Sequence, residues 1–240
     1  MRARWSFAIL RVWGIPIRLH LSIVLIVPIL LLDFDLEHAL VYGVGLFVSI
    51  TLHELGHCFV AIRKGCRVSE ILLLPIGGVA RMERIPARPR DEALMAIAGP
   101  AVSLFLFVAL FFGGGPASHI VALLTGGPVA LNIVQQLGAT NMVLLVFNLI
   151  PAFPMDGGRL LRAWLTRPLG RLRATLAAAL LGKAGAVILM FIGCTAEIWT
   201  LIAVGVFVFI AAGIEYRAVE GDTFGFDQTE TPGPGARHGA

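Results

Sequence analysis

Two histidines four residues apart, with a glutamate beside the first, form the pentapeptide His53-Glu54-Leu55-Gly56-His57 near the end of an almost unbroken apolar run, Ala39 to Ile62. On a helix, positions i and i+4 share one face. Both imidazoles can therefore reach one Zn²⁺ ion while the Glu54 carboxylate serves as general base toward water. That is metalloprotease chemistry. Ionisable groups inside a run long enough to span a bilayer are costly, and in lipid they read as a functional site. The pattern places the expected active site within a membrane.

Composition agrees. The chain is 58% hydrophobic and 14% charged, with a mean hydropathy of +0.87, against about 45–50% apolar residues in soluble domains. An integral membrane protein is expected. The net charge of +4 does not point to nucleic acid, because the basic residues fall in short segments beside apolar runs, where they orient a membrane protein. Cys58, Cys66 and Cys194 lie far apart without metal-site spacing and read as isolated thiols.

The elements that must carry the histidines follow from the apolar runs. Six spans are expected: Leu19 to Leu32, Ala39 to Ile62, Ala93 to Phe112, Ala139 to about Gly158, Leu176 to Cys194, and Ile198 to Ile214. Met1 to Leu10 has too short an apolar stretch for a signal peptide, so no cleavage is expected. Arginines and lysines precede the first span and follow the second, fourth and sixth, whereas Asp33 to His38, Gly113 to Gly138 and Thr195 to Glu197 contain none. This alternation puts both termini in the cytoplasm. Lys183 interrupts the fifth run and reads as a snorkelling side chain or a later helix start.

Two histidines leave zinc short of the three protein ligands usual in catalytic sites. The best further candidate is Asp156, in the stretch from Asn148 to Arg159. Pro151 and Pro154 remove backbone donors there and Gly157-Gly158 frees the backbone, so the fourth span should break. Broken backbone at membrane depth requires shelter by protein or a water-filled cavity. His57 lies six residues before Arg63 and Asp156 three before Arg159, which sets both within roughly 10 Å of the same boundary.

These residues resemble the site-2 protease family of intramembrane zinc metalloproteases, whose paired signatures are HExxH and a downstream N-x-x-P-x-x-P-x-D-G. Both are complete here, at His53 to His57 and Asn148 to Gly158. The resemblance implies that His53, His57 and Asp156 bind one zinc ion, that Glu54 activates water, and that Asn148 holds the substrate carbonyl or its oxyanion. It also implies a catalytic core of three helices. Ala98-Gly99-Pro100-Ala101 is similar to the family's small-residue segment in the third span, with Ser103 where many members carry Asn. The likeness is to a minimal member, since Arg63 to Glu92 is too short for a PDZ domain and the residues after Tyr216 too few for a CBS pair.

Ser69 to Arg81, broken by Pro75 and Gly77-Gly78, reads as short extended structure that can offer an edge to an unwound substrate. His20 reads as an interfacial residue, with a fourth-ligand role as the alternative. The expected fold is an all-α polytopic membrane protein, about six transmembrane helices with a short membrane-associated strand region. Residues 1–216 form the metalloprotease domain and 217–240 a disordered cytoplasmic tail. Its setting is the plasma membrane of a prokaryote, its substrate a single-span membrane protein, and its regulation comes from a membrane partner or prior trimming. The competing reading is an ion-binding transporter or an inactive adaptor.

Overall fold

The computed structural model describes residues 5–25, 28, 30–31, 35–75, 77–82, 86, 88–113 and 132–227, with side chains as far as residue 220. The chain divides into two compact units, Met1–Ile150 and Pro151–Ala240.

The first unit begins with strands β1 (Ser6–Val12) and β2 (Ile15–His20), which pair antiparallel with Val12 opposite Ile15. The two-residue turn between them, Trp13 at φ 50° and Gly14 at φ 80°, has the left-handed backbone that matches strand twist in tight hairpins. A 3-10 turn, Leu21–Leu25, follows. Helix α1 (Leu36–Arg63) then crosses to β3 (Val68–Leu74), which lies parallel to β2, and β4 (Gly77–Met82) returns antiparallel. The sheet order is β1-β2-β3-β4. Parallel neighbours need a long crossover, and α1 supplies it. Helices α2 (Pro89–Gly113) and α3 (Ile133–Asn148) complete the unit.

Helix α1 is set at both ends. Asp35 caps its start, accepting a 2.9 Å bond from the His38 amide, and that bond together with the His38 side chain holds its carboxyl below the usual range. At the other end Cys66 N–H donates to Ala61 O at 2.9 Å and Gly65 N–H to Ile62 O at 3.0 Å, with Gly65 at φ 79°. This is a Schellman termination. Between the ends the helix has two faces. Leu40, Val44, Val48 and Leu52 recur every fourth residue and are exposed. Gly43, Ile50, His53, His57 and Ala61 are buried. Ile50 and Cys58 pack with Ile15, Ile17, Ile71 and Leu73 of the sheet. The strands thus hold the helix that carries the histidines.

The second unit holds α4 (Asp156–Leu169), α5 (Arg171–Thr195) and α6 (Trp199–Asp227). Small residues of α5, among them Ala178, Ala179, Gly182 and Ala186, are buried. They pack with Val208 and Ala212 of α6 and with Phe153 and Met155. Small side chains let helix backbones approach closely where lipid gives no hydrophobic drive.

Helices α1, α2 and α5, and α6 over Trp199–Glu220, are long and apolar enough to cross a membrane; α3 is apolar but shorter. The mostly helical architecture with a small sheet is the expected one, and the extended segment expected at Ser69 to Arg81 is the β3-β4 hairpin. The run expected as a first span differs. Its start, Leu19–His20, ends strand β2 and Leu21–Leu25 is a 3-10 turn, while residues 26–27, 29 and 32 lie outside the described residues. Of the expected tail, residues through Asp227 continue α6 and 228–240 lie outside the described residues. Lys183 sits inside α5, its Nζ 5.5 Å from the Phe209 ring centroid, so the later helix start is not its explanation.

Candidate metal centre and its catalytic residues

His53 and His57 are one turn apart on α1, each only 3% exposed. Their Nε2 atoms converge at 3.1 Å. Each ring is held from behind. His57 Nδ1–H donates to the Met95 carbonyl of α2 at 2.7 Å, and because a carbonyl only accepts, this fixes the lone pair of His57 on Nε2. His53 Nδ1 lies 2.8 Å from Ser103 Oγ, also on α2. A Cβ on Gly99 would collide with Nε2 of both imidazoles. The glycine thus leaves a small buried space in front of two converging nitrogens. Such a pair fits a metal ion, with outer hydrogen bonds holding both rings and the Met95 carbonyl setting the His57 tautomer.

Glu54 points elsewhere on α1. It is half-buried, and its side chain packs against Gly78 of β4. The carboxylate therefore stands beside the last strand of the sheet.

Asn148 is the last residue of α3, and its Nδ2 donates to Leu144 O of its own helix at 3.0 Å. Its level relative to α1 follows from two contacts. Asn141 Nδ2 donates to Ser49 Oγ at 3.0 Å, an offset of 92 residues, and Leu137 packs on Gly45 with the same offset. The helices run parallel. Carried two turns further, that register makes Gly56 the α1 position level with Asn148.

In the second unit, Asp156 is the first residue of α4 and 8% exposed. A carboxylate is favourable there, against the positive end of the helix dipole. The residues before it are pinned to α5. Phe153 N–H donates to Ala178 O at 3.1 Å, and Phe153 O lies so close to Gly182 that no Cβ fits there. Arg162, fully buried, stacks over the Phe153 ring at 4.9 Å and faces Glu215 at 3.8 Å.

A fourth-ligand role for His20 gains nothing: its Nδ1 accepts from Ser22 N–H at 3.2 Å and lies 2.7 Å from Ser22 Oγ. Sequence reasoning missed the anchoring of His53 by Ser103, of His57 by Met95, and the close approach of Gly78 to Glu54. The signal for the first was the Gly99–Ser103 spacing of four, which puts both residues on one face of α2.

The sequence profile of peptidase family M50 matches residues 41–192. The chain belongs to this family. It is 39% identical over 222 residues to zinc metalloprotease MJ0392 of Methanocaldococcus jannaschii, covering 91% of this chain and 63% of that protein. The chain therefore spans less than two thirds of that relative's length. Rip3 of Mycobacterium tuberculosis is 34% identical over 179 residues, which is 71% of this chain and 44% of Rip3. Among solved structures, a site-2 protease from Methanocaldococcus jannaschii superposes with a TM-score of 0.66 at 38% identity, covering 88% of this chain and 95% of that one. The likeness to the site-2 protease family read from two short motifs thus extends over most of the fold. An M50 chain with four helices of spanning length among the described residues is a membrane protein.

Proposed function

We propose that this chain is an intramembrane zinc metalloprotease that hydrolyses a peptide bond within a transmembrane segment of another membrane protein. One observation carries the reading: two buried imidazoles converge through Nε2 at 3.1 Å, with a carboxylate on the residue after the first. The printed names of the relatives, zinc metalloprotease for MJ0392 and site-2 protease for the solved homologue, support it.

His53, His57 and Asp156 would hold the ion. For Asp156 the support is a buried carboxylate at a helix start, on a loop pinned by its own unit. An ion held there would supply Lewis acidity toward the scissile carbonyl and would lower the pKa of water toward neutrality. Glu54 takes the water proton and returns it to the leaving amine. Asn148 has two N–H donors, and with one committed to Leu144 O the other serves the developing oxyanion.

A substrate helix hides its amides in its own hydrogen bonds and must unwind before attack. As the last strand of the sheet, β4 offers an edge beside Glu54 on which an unwound segment can lie as an added strand. The substrate is a single-span protein, and basic segments put both termini and the histidine end of α1 on the cytoplasmic side of a prokaryotic plasma membrane. Residues 1–216 form the protease domain.

Metal analysis of the detergent-purified chain beside an Asp156→Ala variant tests this. One zinc per wild-type chain is expected, with loss in the variant. A wild type without zinc, or a variant that holds it as tightly, rejects the reading.

A further inference from the structure

We propose that Ser103 is a positioning residue whose hydroxyl fixes the ring of His53 so that Nε2, rather than Nδ1, is offered to the metal. The proposal rests on the zinc reading above and adds to it a residue outside the ligand and catalytic set. Its observation is the 2.8 Å approach of Ser103 Oγ to His53 Nδ1 between two helices, with Ser103 fully buried and His53 nearly so.

The two imidazoles are anchored unequally. His57 is held by the Met95 carbonyl, a backbone acceptor that no side-chain change removes. His53 depends on a side chain. The last torsion of histidine is broad and two-fold, so without a partner the ring can turn over and exchange its nitrogens. A serine hydroxyl accepts from Nδ1–H through a lone pair, and that bond leaves the Nε2 lone pair toward His57.

Local packing shows why the hydroxyl reaches. A Cβ on Gly56 would lie 2.8 Å from Ala98 O, so α1 and α2 are in near backbone contact about a turn and a half from Ser103. Several helix threonines bond back to their own helix: Thr51 to Phe47 O at 2.7 Å, Thr166 to Arg162 O at 2.6 Å and Thr175 to Arg171 O at 2.8 Å. Ser103 instead reaches across to the neighbouring helix, which is what a positioning role requires.

The test measures zinc affinity by chelator competition on the full purified chain, for the wild type, Ser103→Ala, Ser103→Thr and Ser103→Val. Thr and Val carry the same added volume and differ in the hydroxyl, so their comparison stands even where Ala perturbs folding. Ala and Val should weaken zinc by about 10- to 100-fold, the usual effect of losing such an outer partner, and Thr should recover most of the loss. ¹⁵N imidazole spectra should show His53 protonated at Nδ1 in the zinc-loaded wild type. Ala binding zinc as the wild type does, or Thr no tighter than Val, overturns the proposal while leaving the zinc reading intact. A wild type that binds no zinc overturns both.

Discussion

Gly78 of β4 lies against the side chain of Glu54: a Cβ built on the glycine would stand 3.1 Å from Oε1 and closer still to the stem of the chain. The strand and the Glu54 carboxylate thus share one small space. Gly78 cannot gain a side chain without moving Glu54.

The first prediction follows directly. Gly78→Ala displaces the flexible Glu54 side chain without touching the imidazoles, so zinc content and unfolding temperature should hold while cleavage falls by about 10-fold or more. Peptide hydrolysis measured beside metal content checks it. Undiminished cleavage would mean that the Glu54 carboxylate does not work from this position.

On the proposed roles, Glu54→Gln removes the base and no ligand. The variant should keep its zinc and lose proteolysis, by at least about 10² given the usual contribution of a positioned general base. A variant that still cleaves, or that loses the metal, assigns Glu54 a different role.

For Asn148→Ala the expected signature is a retained metal with turnover slowed by about 10², the usual cost of one oxyanion donor. Its amide already bonds Leu144 O on its own helix. Near wild-type turnover on a folded variant would confine the side chain to that helix-end bond.

The loop before Asp156 offers a test within the second unit. A methyl at Gly182 has no room beside Phe153 O, so Gly182→Ala should lower stability by about 1–3 kcal/mol, as overpacking does. By shifting the start of α4 it should also weaken zinc binding. Thermal unfolding and chelator competition give the two readouts, and a variant unchanged in both removes the loop from the account of the site.

Much of this was written in local patterns. His53 and His57 declare a helix face, Pro151 and Pro154 declare the break between α3 and α4, and Pro75 with Gly77 declares the β3-β4 turn. The β1-β2 hairpin was missed because Ile15, Ile17 and Leu19, alternating with Pro16 and Arg18 at the strand period, run on without punctuation into the apolar stretch from Leu21. Helix α4 was hidden by its arginines, read as loop charges. Arg162 is instead fully buried over Phe153, and its acidic neighbour Glu215 lies far along the chain. Partners across helices, such as the Met95 carbonyl for His57, have no local spacing to announce them.

The most direct test of the central claim is the position of the cut. The wild-type chain, reconstituted in lipid with a single-span substrate carrying Gly, Pro or Asn in either half of its span, should cleave within the cytoplasmic half. Helix breakers placed there should speed cleavage, because they reduce the cost of unwinding. Mass spectrometry of the new termini reads the position. Cuts confined to soluble loops or to the outer half of the span would contradict both the intramembrane site and its orientation.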